Sequence, residues 1–348
     1  MKKINLLNGK IFWVVFLLSF NSFSQSIYNW DNQEREYFLY VPENLPDNAP
    51  LLFVLHGYYD TGNGWVDKFQ YFADQNGFVV CAPTGLLDNN GNTHWNANFS
   101  PLILGQNMTS VDDIGFLSSL AIFLQDEYNL DANKTFSCGF SNGGFMSWSL
   151  ACNAPNIFRA VASVAGSMSA NDWEECNPEI MVPVMQISGT NDDIIPIDGT
   201  TGGWSFGGGT PDIYSIMSFW SNMSGCIDSE IINWQFDNYY DYELTSYYGD
   251  CFNNTVESRL YVFNEMGHVW PSNTFNNDES IPDLAAELIW EFFMQIAAQP
   301  LANVKDSLSL PKKIFYTSSI LGQDSNKSNF QLEILHDGSV RKKYIFNH

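Results

Sequence analysis

The sequence predicts an α/β domain with a mostly parallel central β-sheet and helices on both faces. Short apolar runs alternate with helical patterns from about residue 35 to residue 298. Several of these runs are continuously apolar, which is typical of strands buried on both faces of a sheet. The segments between them carry apolar residues at helical spacing, and strands that alternate with such helices favour a parallel sheet covered on both sides.

The N-terminus has the order of a secretory signal peptide. Three lysines, at positions 2, 3 and 10, precede an apolar run over residues 11–20, and Ser22-Phe23-Ser24 fits a cleavage site before Gln25. The run is too short to span a bilayer, and a buried N-terminal helix would not need this order. We therefore predict a signal over residues 1–24, the α/β domain over 25–300, a linker and tail over 301–348, and a secreted or cell-surface protein.

The charge of the chain argues against several classes of partner. Its 348 residues carry a formal net charge of −24. Between Gln25 and Pro300 the basic residues are few: Arg35, Lys68, Lys134, Arg159 and Arg259. An anionic body of this kind argues against nucleic acid and anionic membranes and favours neutral substrates.

Seven strands are predicted for the central sheet. They are Tyr37 to Val41, Leu51 to Leu55, Phe78 to Ala82, Thr135 to Gly139, Ala160 to Val164, Val182 to Ile187 and Arg259 to Phe263. Three helices are predicted between and after them. The first opens at a capping box beginning at Ser110, and the others run from Asn142 to Leu150 and from Asp283 to Ile296.

Two further regions differ in composition from this core. Residues 198–256, with a glycine-rich stretch, a helix near Tyr214 to Met223 and tyrosine-rich strands around Tyr239 to Tyr248, are interpreted as an insertion within the domain. After Pro300 basic residues return, and Phe330 to Phe346 has strand character interrupted by Asp337-Gly338, a hairpin-turn signal.

The six cysteines fit an oxidising compartment. We predict disulfides Cys226–Cys251 and Cys152–Cys176, although spacing alone leaves the connectivity open. The other two cysteines, at positions 81 and 138, lie in apolar runs and are interpreted as buried thiols. No Cys-x-x-Cys pair is present in the sequence, so no zinc site or other metal is predicted.

The first candidate catalytic residue is Ser141. Gly139-Phe140-Ser141-Asn142-Gly143 follows a predicted strand and opens a predicted helix, which is the context of a nucleophile elbow. The sharp turn exposes the serine hydroxyl, glycines leave room for the turn, and the helix N-terminus directs free N–H groups at a developing oxyanion. The alternative is a glycine-rich turn with no chemistry.

A second loop supports this interpretation. Leu51 to Leu55 continues directly into His56-Gly57-Tyr58. Where a nucleophile elbow is present, the loop after such a strand supplies the second backbone donor to the oxyanion. We assign the backbone N–H groups of Tyr58 and Asn142 as donors. His56 is expected to be structural, with its ring held by nearby backbone.

The acid and the base are expected after the serine, in that order. Asp192 ends a late strand and is the preferred acid, with Asp193 as the second choice. His268 follows the last strand and would take the proton of Ser141. The aromatic residues Tyr58, Trp65, Trp95 and Trp270 flank these loops and are candidate substrate contacts, although about half of them are expected to lie in the core.

Six sequence blocks carry a family resemblance. They are Leu55-His56-Gly57, Trp95-Asn96, Val111 to Phe116, Gly139 to Gly144, Gly189 to Asp192 with Pro196, and Gly267 to Pro271. Together they resemble the polyhydroxybutyrate depolymerase-like esterases, a group that overlaps with the family-one carbohydrate esterases, including feruloyl and acetylxylan esterases. The resemblance covers roughly residues 35 to 297. It implies an α/β-hydrolase fold, ester hydrolysis, no cofactor and the same two disulfide pairings. The family often has a histidine beside the position of Gly189, where this chain has Ser188.

The tail is similar to C-terminal segments of Bacteroidetes proteins exported by the type IX secretion system. The likeness rests on Leu321-Gly322, Asp337 to Val340 and Lys342-Lys343. It implies a sorting segment, and the alternative is a small β-hairpin docked on the domain.

The function predicted first is therefore a secreted serine esterase acting on a polyhydroxyalkanoate-type polyester or oligoester. The alternatives are a feruloyl or acetylxylan esterase acting on plant polysaccharide, a non-catalytic glycan-binding protein on the same fold, and a peptidase.

Overall fold

The structure is a computed structural model of the chain. It describes residues 24–99, 111–199, 210–234, 241–248, 258–272, 283–298, 314–319, 330–335 and 340–344, the last three ranges by their backbone pairing. Within these ranges, no helix combines the length and apolar character needed to cross a bilayer.

Ten strands form the main sheet. In chain order they are β1 (Ser24–Trp30), β2 (Gln33–Tyr40), β3 (Leu51–Leu55), β4 (Val79–Pro83), β7 (Thr135–Phe140), β8 (Ala160–Val164), β9 (Val184–Gly189), β10 (Asp228–Trp234), β11 (Tyr242–Tyr248) and β12 (Ser258–Phe263). Two short strands, β5 (Leu86–Leu87) and β6 (Thr93–His94), pair separately. The spatial order is β1-β2-β4-β3-β7-β8-β9-β12-β11-β10.

The centre of the sheet is parallel, as predicted. Strands β4, β3, β7, β8, β9 and β12 pair in parallel, and every residue of β3, β4 and β8 is buried. The carboxyl ends of parallel strands meet at one edge of the sheet, so the loops that follow β3, β7, β9 and β12 are brought together there.

Helices cover both faces, which confirms the predicted layers. They are α1 (Asp67–Asn76), α2 (Asp113–Glu127), α3 (Asn142–Asn153), α4 (Ala170–Glu175), α5 (Ile213–Met223) and α6 (Leu284–Ala297). Buried side chains of α2, α3 and α5 pack in one core cluster, and those of α1 and α6 pack in a second cluster. The two clusters lie on opposite faces because alternate residues of each strand point to opposite sides.

The predicted capping box does not start α2. Asp112 is the N-cap, and its carboxylate accepts a hydrogen bond from the Gly115 N–H at 2.8 Å. Ser110 lies outside the described residues. The Asp112 carboxylate satisfies a free N–H of the first turn, so the helix begins later than the predicted capping box.

The antiparallel edges of the sheet were incompletely predicted. Strand β1 continues the sheet beyond β2 through a tight turn at Asp31 and Asn32, which have positive φ values of 49° and 60°. At the other edge, β11 and β10 add to β12, so the tyrosine-rich part of the predicted insertion extends the main sheet. Alternating strands with one exposed face give a weaker local signal than buried parallel strands.

One predicted disulfide is seen directly. Cys152 and Cys176 are joined, with their Cα atoms 5.4 Å apart. Cys226 is disulfide-bonded, and Cys251 lies outside the described residues. Cys81 and Cys138 are buried free thiols.

The tail contains a small sheet of its own. Strands β13 (Ile314–Ser319), β14 (Phe330–Leu335) and β15 (Val340–Tyr344) pair antiparallel in that order. The β14–β15 pairing agrees with the hairpin expected around Asp337-Gly338, whose turn lies outside the described residues.

Candidate active site

Ser141 lies in a strained turn between β7 and α3. Its φ and ψ are 53° and −116°, a region that non-glycine residues rarely adopt. The flanking glycines are required by space. A Cβ at Gly139 would lie 2.2 Å from the Gly143 carbonyl oxygen, and a Cβ at Gly143 would lie 2.2 Å from the Leu55 carbonyl oxygen. The turn therefore packs tightly between α3 and the end of β3.

His268 reaches this serine from the loop after β12. Its Nε2 lies 2.9 Å from Ser141 Oγ, across 127 positions of sequence. The ring also packs against the Phe140 ring, with centroids 5.1 Å apart. The serine is only 6% exposed, while the imidazole is half-buried.

Asp192 completes the array on the far side of the imidazole. Its Oδ2 lies 2.9 Å and its Oδ1 3.1 Å from His268 Nδ1. The carboxylate is itself held by the N–H groups of Ile194 and Ile195, which donate to Oδ1 at 3.0 and 2.8 Å. A carboxylate accepts only, so Nδ1 carries the proton and Nε2 is left to accept the Ser141 hydroxyl.

Asp193, the second choice for the acid, is exposed to solvent, whereas Asp192 is 5% exposed. The structure therefore brings together the three side chains that the sequence ranked first. Such an array can make a serine hydroxyl nucleophilic, because the imidazole removes the hydroxyl proton and the carboxylate stabilises the imidazolium.

The surroundings of Ser141 suit an oxyanion. Asn142 is the first residue of α3, where a backbone N–H has no acceptor within the helix. On the other side, a Cβ at Gly57 would lie 3.6 Å from Ser141 Cβ, so the loop that carries Tyr58 passes close to the serine. Both backbone segments assigned from sequence as donors thus border the hydroxyl.

The side chain of Asn142 has a role that the sequence did not indicate. Its Oδ1 accepts from the Trp95 N–H at 2.6 Å, and its Nδ2 donates to the Trp95 carbonyl at 3.0 Å. The indole of Trp95 in turn donates to the His56 carbonyl oxygen at 3.1 Å. One amide side chain thereby fixes the loops on both sides of the turn.

His56 is structural, as expected. Its Nε2 accepts from the Gly85 N–H at 2.9 Å, and its Nδ1 donates to the Gly57 carbonyl at 2.7 Å. The ring is completely buried, and burial lowers the pKa of His56 from 6.5 to about 4. It is therefore neutral near pH 7 and holds the loop before Tyr58.

The four aromatic candidates are not equivalent. Trp95 is 0% exposed, so the prediction that it contacts substrate is wrong, and its ring belongs to the core around His56. Trp65 is 7% exposed and stacks on Phe140. Trp270 and Tyr58 are half-buried and are left as candidates for contact with a ligand.

Asp283 was missed as part of this region. It caps α6, and its Oδ1 also accepts from the Trp270 indole N–H at 2.7 Å. Lys68 lies 3.5 Å from its Oδ2 and 5.4 Å from the Trp270 ring centroid. Burial raises the pKa of Asp283, while Lys68 and the indole N–H oppose that shift. Asp283 and Lys68 thus hold the ring of Trp270, two residues after His268, in place.

The side chains that the structure describes do not indicate a metal site. In the ranges that the structure describes, no group of three or more His, Cys, Asp or Glu residues is placed to hold a metal ion.

Comparison with known proteins gives one family model and several sequence relatives. Residues 41–201 match the Phospholipase/Carboxylesterase family model. The chain is 30% identical over 174 residues to feruloyl esterase C of Emericella nidulans, a match that covers 47% of this chain and 57% of that protein. It is 28% identical over 167 residues to the bifunctional acetylxylan esterase/xylanase XynS20E of Neocallimastix patriciarum, covering 46% and 22%.

The chain therefore spans between a fifth and three fifths of the length of these two relatives. Among solved structures, an acetyl xylan esterase from Aspergillus awamori superposes with a TM-score of 0.56 at 17% identity, over 78% of this chain and 99% of that chain. This likeness shows the fold, which is that of the α/β-hydrolases. The resemblance to the feruloyl and acetylxylan esterases is confirmed by the sequence relatives.

Proposed function

We propose that this chain, which carries an α/β-hydrolase domain, is a carboxylic ester hydrolase with Ser141 as nucleophile, His268 as general base and Asp192 as the residue that orients it. The single observation that carries the proposal is the continuous set of hydrogen bonds from Asp192 through His268 to a strained serine at a helix N-terminus. A hydroxyl held in this way lies beside backbone donors that suit a tetrahedral oxyanion.

The reaction is an acyl transfer in two steps. His268 Nε2 takes the Ser141 proton as Oγ attacks the ester carbonyl, and the oxyanion is held by the N–H groups of Asn142 and Tyr58. The same proton then passes to the leaving alcohol, which departs as the acyl-enzyme forms. His268 then takes a proton from water as the water oxygen attacks the acyl group, and it returns that proton to Ser141 Oγ as the bond to the serine breaks, which releases the acid and the free serine.

As substrate we propose a feruloyl or acetyl ester on plant polysaccharide. The relatives named above favour this class over the polyester that was placed first from sequence alone. The anionic body also fits a neutral polymer. The half-buried Trp270 ring beside His268 offers an apolar surface for an aryl or sugar face.

The test of activity compares two serine variants. Ser141→Ala should abolish hydrolysis of p-nitrophenyl acetate with the fold intact. Ser163→Ala is the matched control, because Ser163 Oγ is buried without a hydrogen-bond partner among the described residues, and its loss should leave turnover unchanged. Full turnover in the Ser141 variant would remove this residue from the reaction.

Substrate class is tested on the wild-type protein with methyl ferulate, acetylated xylan and polyhydroxybutyrate. Higher kcat/KM on either of the first two supports the proposal. Preference for the polymer of hydroxybutyrate would return the polyester to first place. A fluorophosphonate probe separates the glycan-binding alternative, since a binding protein would leave Ser141 unlabelled.

We also propose that the protein is exported. The support is the signal-like order of residues 1–24 and the Cys152–Cys176 disulfide, which forms in oxidising compartments. The tail would serve the type IX machinery as a sorting segment. Mass spectrometry of the protein in culture medium should find an N-terminus near Gln25, and retention of an intact chain inside the cell would contradict export.

A further inference from the structure

The loop that follows β3 passes Ser141 as a tight turn over residues 57–60. The Asp60 N–H donates to the Gly57 carbonyl oxygen at 3.2 Å, and Tyr59, the third residue of the turn, has a φ of 70°. A turn with a positive φ at its third residue alone is of type II, and glycine or asparagine normally occupies that position. The tyrosine is therefore strained, and a strained residue persists only where neighbouring groups hold it.

This turn carries one of the two proposed oxyanion donors, the backbone N–H of Tyr58. A backbone donor stabilises the transition state most when its position is fixed before the charge develops. The contacts that fix the turn therefore bear on the reaction at Ser141. They come from the hairpin of β5 and β6, which is hydrogen-bonded to the turn.

Tyr58 is held through its side chain. Its phenol O–H donates to Asp88 Oδ2, and the Asn92 Nδ2 donates to the phenol oxygen at 3.3 Å. Asp88 is the residue after β5 and is only 5% exposed. A buried carboxylate of the hairpin thereby holds the residue that supplies the donor.

The carboxylate of Asp88 is fixed in turn by its own hairpin. Its Oδ1 accepts from the N–H groups of Asn90 and Asn92, both at 2.8 Å. Burial would raise the pKa of Asp88, but the hydrogen bonds from Tyr58, Asn92 and Asn90 lower it overall. Burial and the hydrogen bond to Asp88 raise the pKa of Tyr58 to about 12. Near pH 7 the carboxylate is thus charged and the phenol is protonated, which makes the bond between them charge-assisted.

The same hairpin also holds the next two residues of the turn. The Tyr59 N–H donates to the Thr93 carbonyl oxygen at 3.1 Å, and Thr93 Oγ1 donates to the Asp60 carbonyl oxygen. Three successive residues of the turn are therefore bound to the hairpin, and Asp88 makes its contact at Tyr58 itself.

We propose that Asp88 is a positioning residue for ester hydrolysis: by holding the Tyr58 phenol, it fixes the Tyr58 N–H where the oxyanion forms. The inference rests on the proposed function, which assigns that N–H its role. Asp88 acts through Tyr58 and needs no contact with the substrate. A turn that is free to shift loses stabilisation of the transition state, while the ester is bound as before, so the effect falls on kcat rather than on KM.

The test compares two tyrosine variants in the full chain. Tyr58→Phe removes the bond to Asp88 but keeps the ring and the backbone N–H, so kcat on p-nitrophenyl acetate should fall about tenfold with KM within about twofold. Tyr40→Phe is the matched control. The Tyr40 phenol also donates to an aspartate, Asp74, and its pKa is likewise raised to about 12, but that pair joins β2 to α1. Its kcat should equal that of the wild type.

A second readout probes the oxyanion directly, with phenyl trifluoromethyl ketone as inhibitor. Ser141 Oγ adds to the ketone carbon, the serine proton passes to His268, and the carbonyl oxygen becomes the oxyanion. Tyr58→Phe should raise the inhibition constant about tenfold, and Tyr40→Phe should leave it unchanged. A bond that serves stability alone would lower the melting temperature in both variants without changing kcat or inhibition, and that result would overturn the proposal.

Two variants at Asp88 test the same bond from its other end. Asp88→Ala removes the acceptor and should lower kcat at least as far as Tyr58→Phe does. Asp88→Asn keeps an oxygen that can accept from the phenol, so its kcat should lie between those of Asp88→Ala and the wild type. Wild-type kcat in Asp88→Ala would contradict the proposal. If Asp88→Ala does not fold, the comparison of Tyr58→Phe with Tyr40→Phe decides the question.

Failure of this inference is distinct from failure of the proposed function. A wild-type protein that does not hydrolyse p-nitrophenyl acetate would contradict the proposed function and remove the oxyanion that Asp88 is proposed to serve. Turnover by the wild type, with unchanged kcat and inhibition in Tyr58→Phe, would overturn the role of Asp88 and leave the esterase standing.

Discussion

The side-chain amide of Asn142 forms two hydrogen bonds with the backbone of Trp95: it accepts from the N–H at 2.6 Å and donates to the carbonyl at 3.0 Å. Both groups are fully buried. The pair ties the first residue after the nucleophile to the loop that follows β6. The contact joins residues 47 positions apart in the chain.

Asn142→Asp should lower stability sharply. A carboxylate can still accept from the Trp95 N–H, but it cannot donate to the carbonyl and is repelled by it, so we expect a loss of roughly 2–3 kcal/mol in the free energy of unfolding. Asn76→Asp is the control, since Asn76 is exposed and its Nδ2 donates to the Phe72 carbonyl within its own helix. Denaturant unfolding should show a much smaller loss for that variant.

Asp192→Asn should keep the fold and lose activity. The amide can present its N–H₂ to His268 Nδ1, which then favours the tautomer protonated at Nε2 and unable to accept the Ser141 proton, and kcat should fall about 10⁴-fold. Asp193→Asn, at the neighbouring exposed position, should keep kcat within about twofold. Equal losses in both variants would show that the acid has been assigned to the wrong residue.

Gly143→Ala should destabilise the protein although alanine favours helices. The added Cβ would lie 2.2 Å from the Leu55 carbonyl oxygen and 2.6 Å from the His56 carbonyl oxygen, and backbone atoms cannot move aside cheaply. We expect a loss of about 3 kcal/mol or more, seen as a lower melting temperature. At Gly267 the nearest atom would be 3.7 Å away, so Gly267→Ala should change stability little.

Acid should destabilise the fold through His56. Because burial lowers the pKa of His56 to about 4 in the folded state, against 6.5 as its ordinary value, the unfolded chain binds a proton that the folded chain refuses. Stability from this group is therefore complete above pH 6.5 and falls as the pH drops from 6.5 toward 4, by about 3 kcal/mol in all.

His56→Asn removes that titration. The variant should be less stable at pH 7, because it loses the hydrogen bonds to Gly57 and Gly85, but its unfolding free energy should fall less steeply between pH 6.5 and 4. Urea unfolding at a series of pH values measures both slopes. Parallel curves for the two proteins would mean that His56 titrates normally.

Local pattern was enough for the centre of the sheet and for the order of the catalytic candidates. Strands such as Leu51–Leu55 and Ala160–Val164 have the predicted bounds because a strand buried on both faces is apolar at every position. Helix α2 follows its predicted apolar stripe, but its N-cap is Asp112, two positions after the start of the predicted capping box. Strand β1 was missed because edge strands carry polar and apolar residues in mixture.

Burial of individual side chains was not open to the same reasoning. Trp95 and Trp270 both follow strand-like segments near the site, and nothing local separates them. Packing buries the Trp95 ring against His56. The Trp270 ring stays half-buried, and its indole N–H donates to Asp283.

By itself, the sequence determined the layers of the fold, the turn at Ser141 and the order of serine, acid and histidine along the chain. Each of these depends on the apolar periodicity of a short segment or on the backbone conformation of a few neighbouring residues. Only the tertiary structure decided that Asp192 rather than Asp193 meets His268, that Asn142 secures Trp95, and that Trp95 is buried while Trp270 is half-buried. Those outcomes depend on distances between segments far apart in the chain, and such distances are set by how the whole core packs.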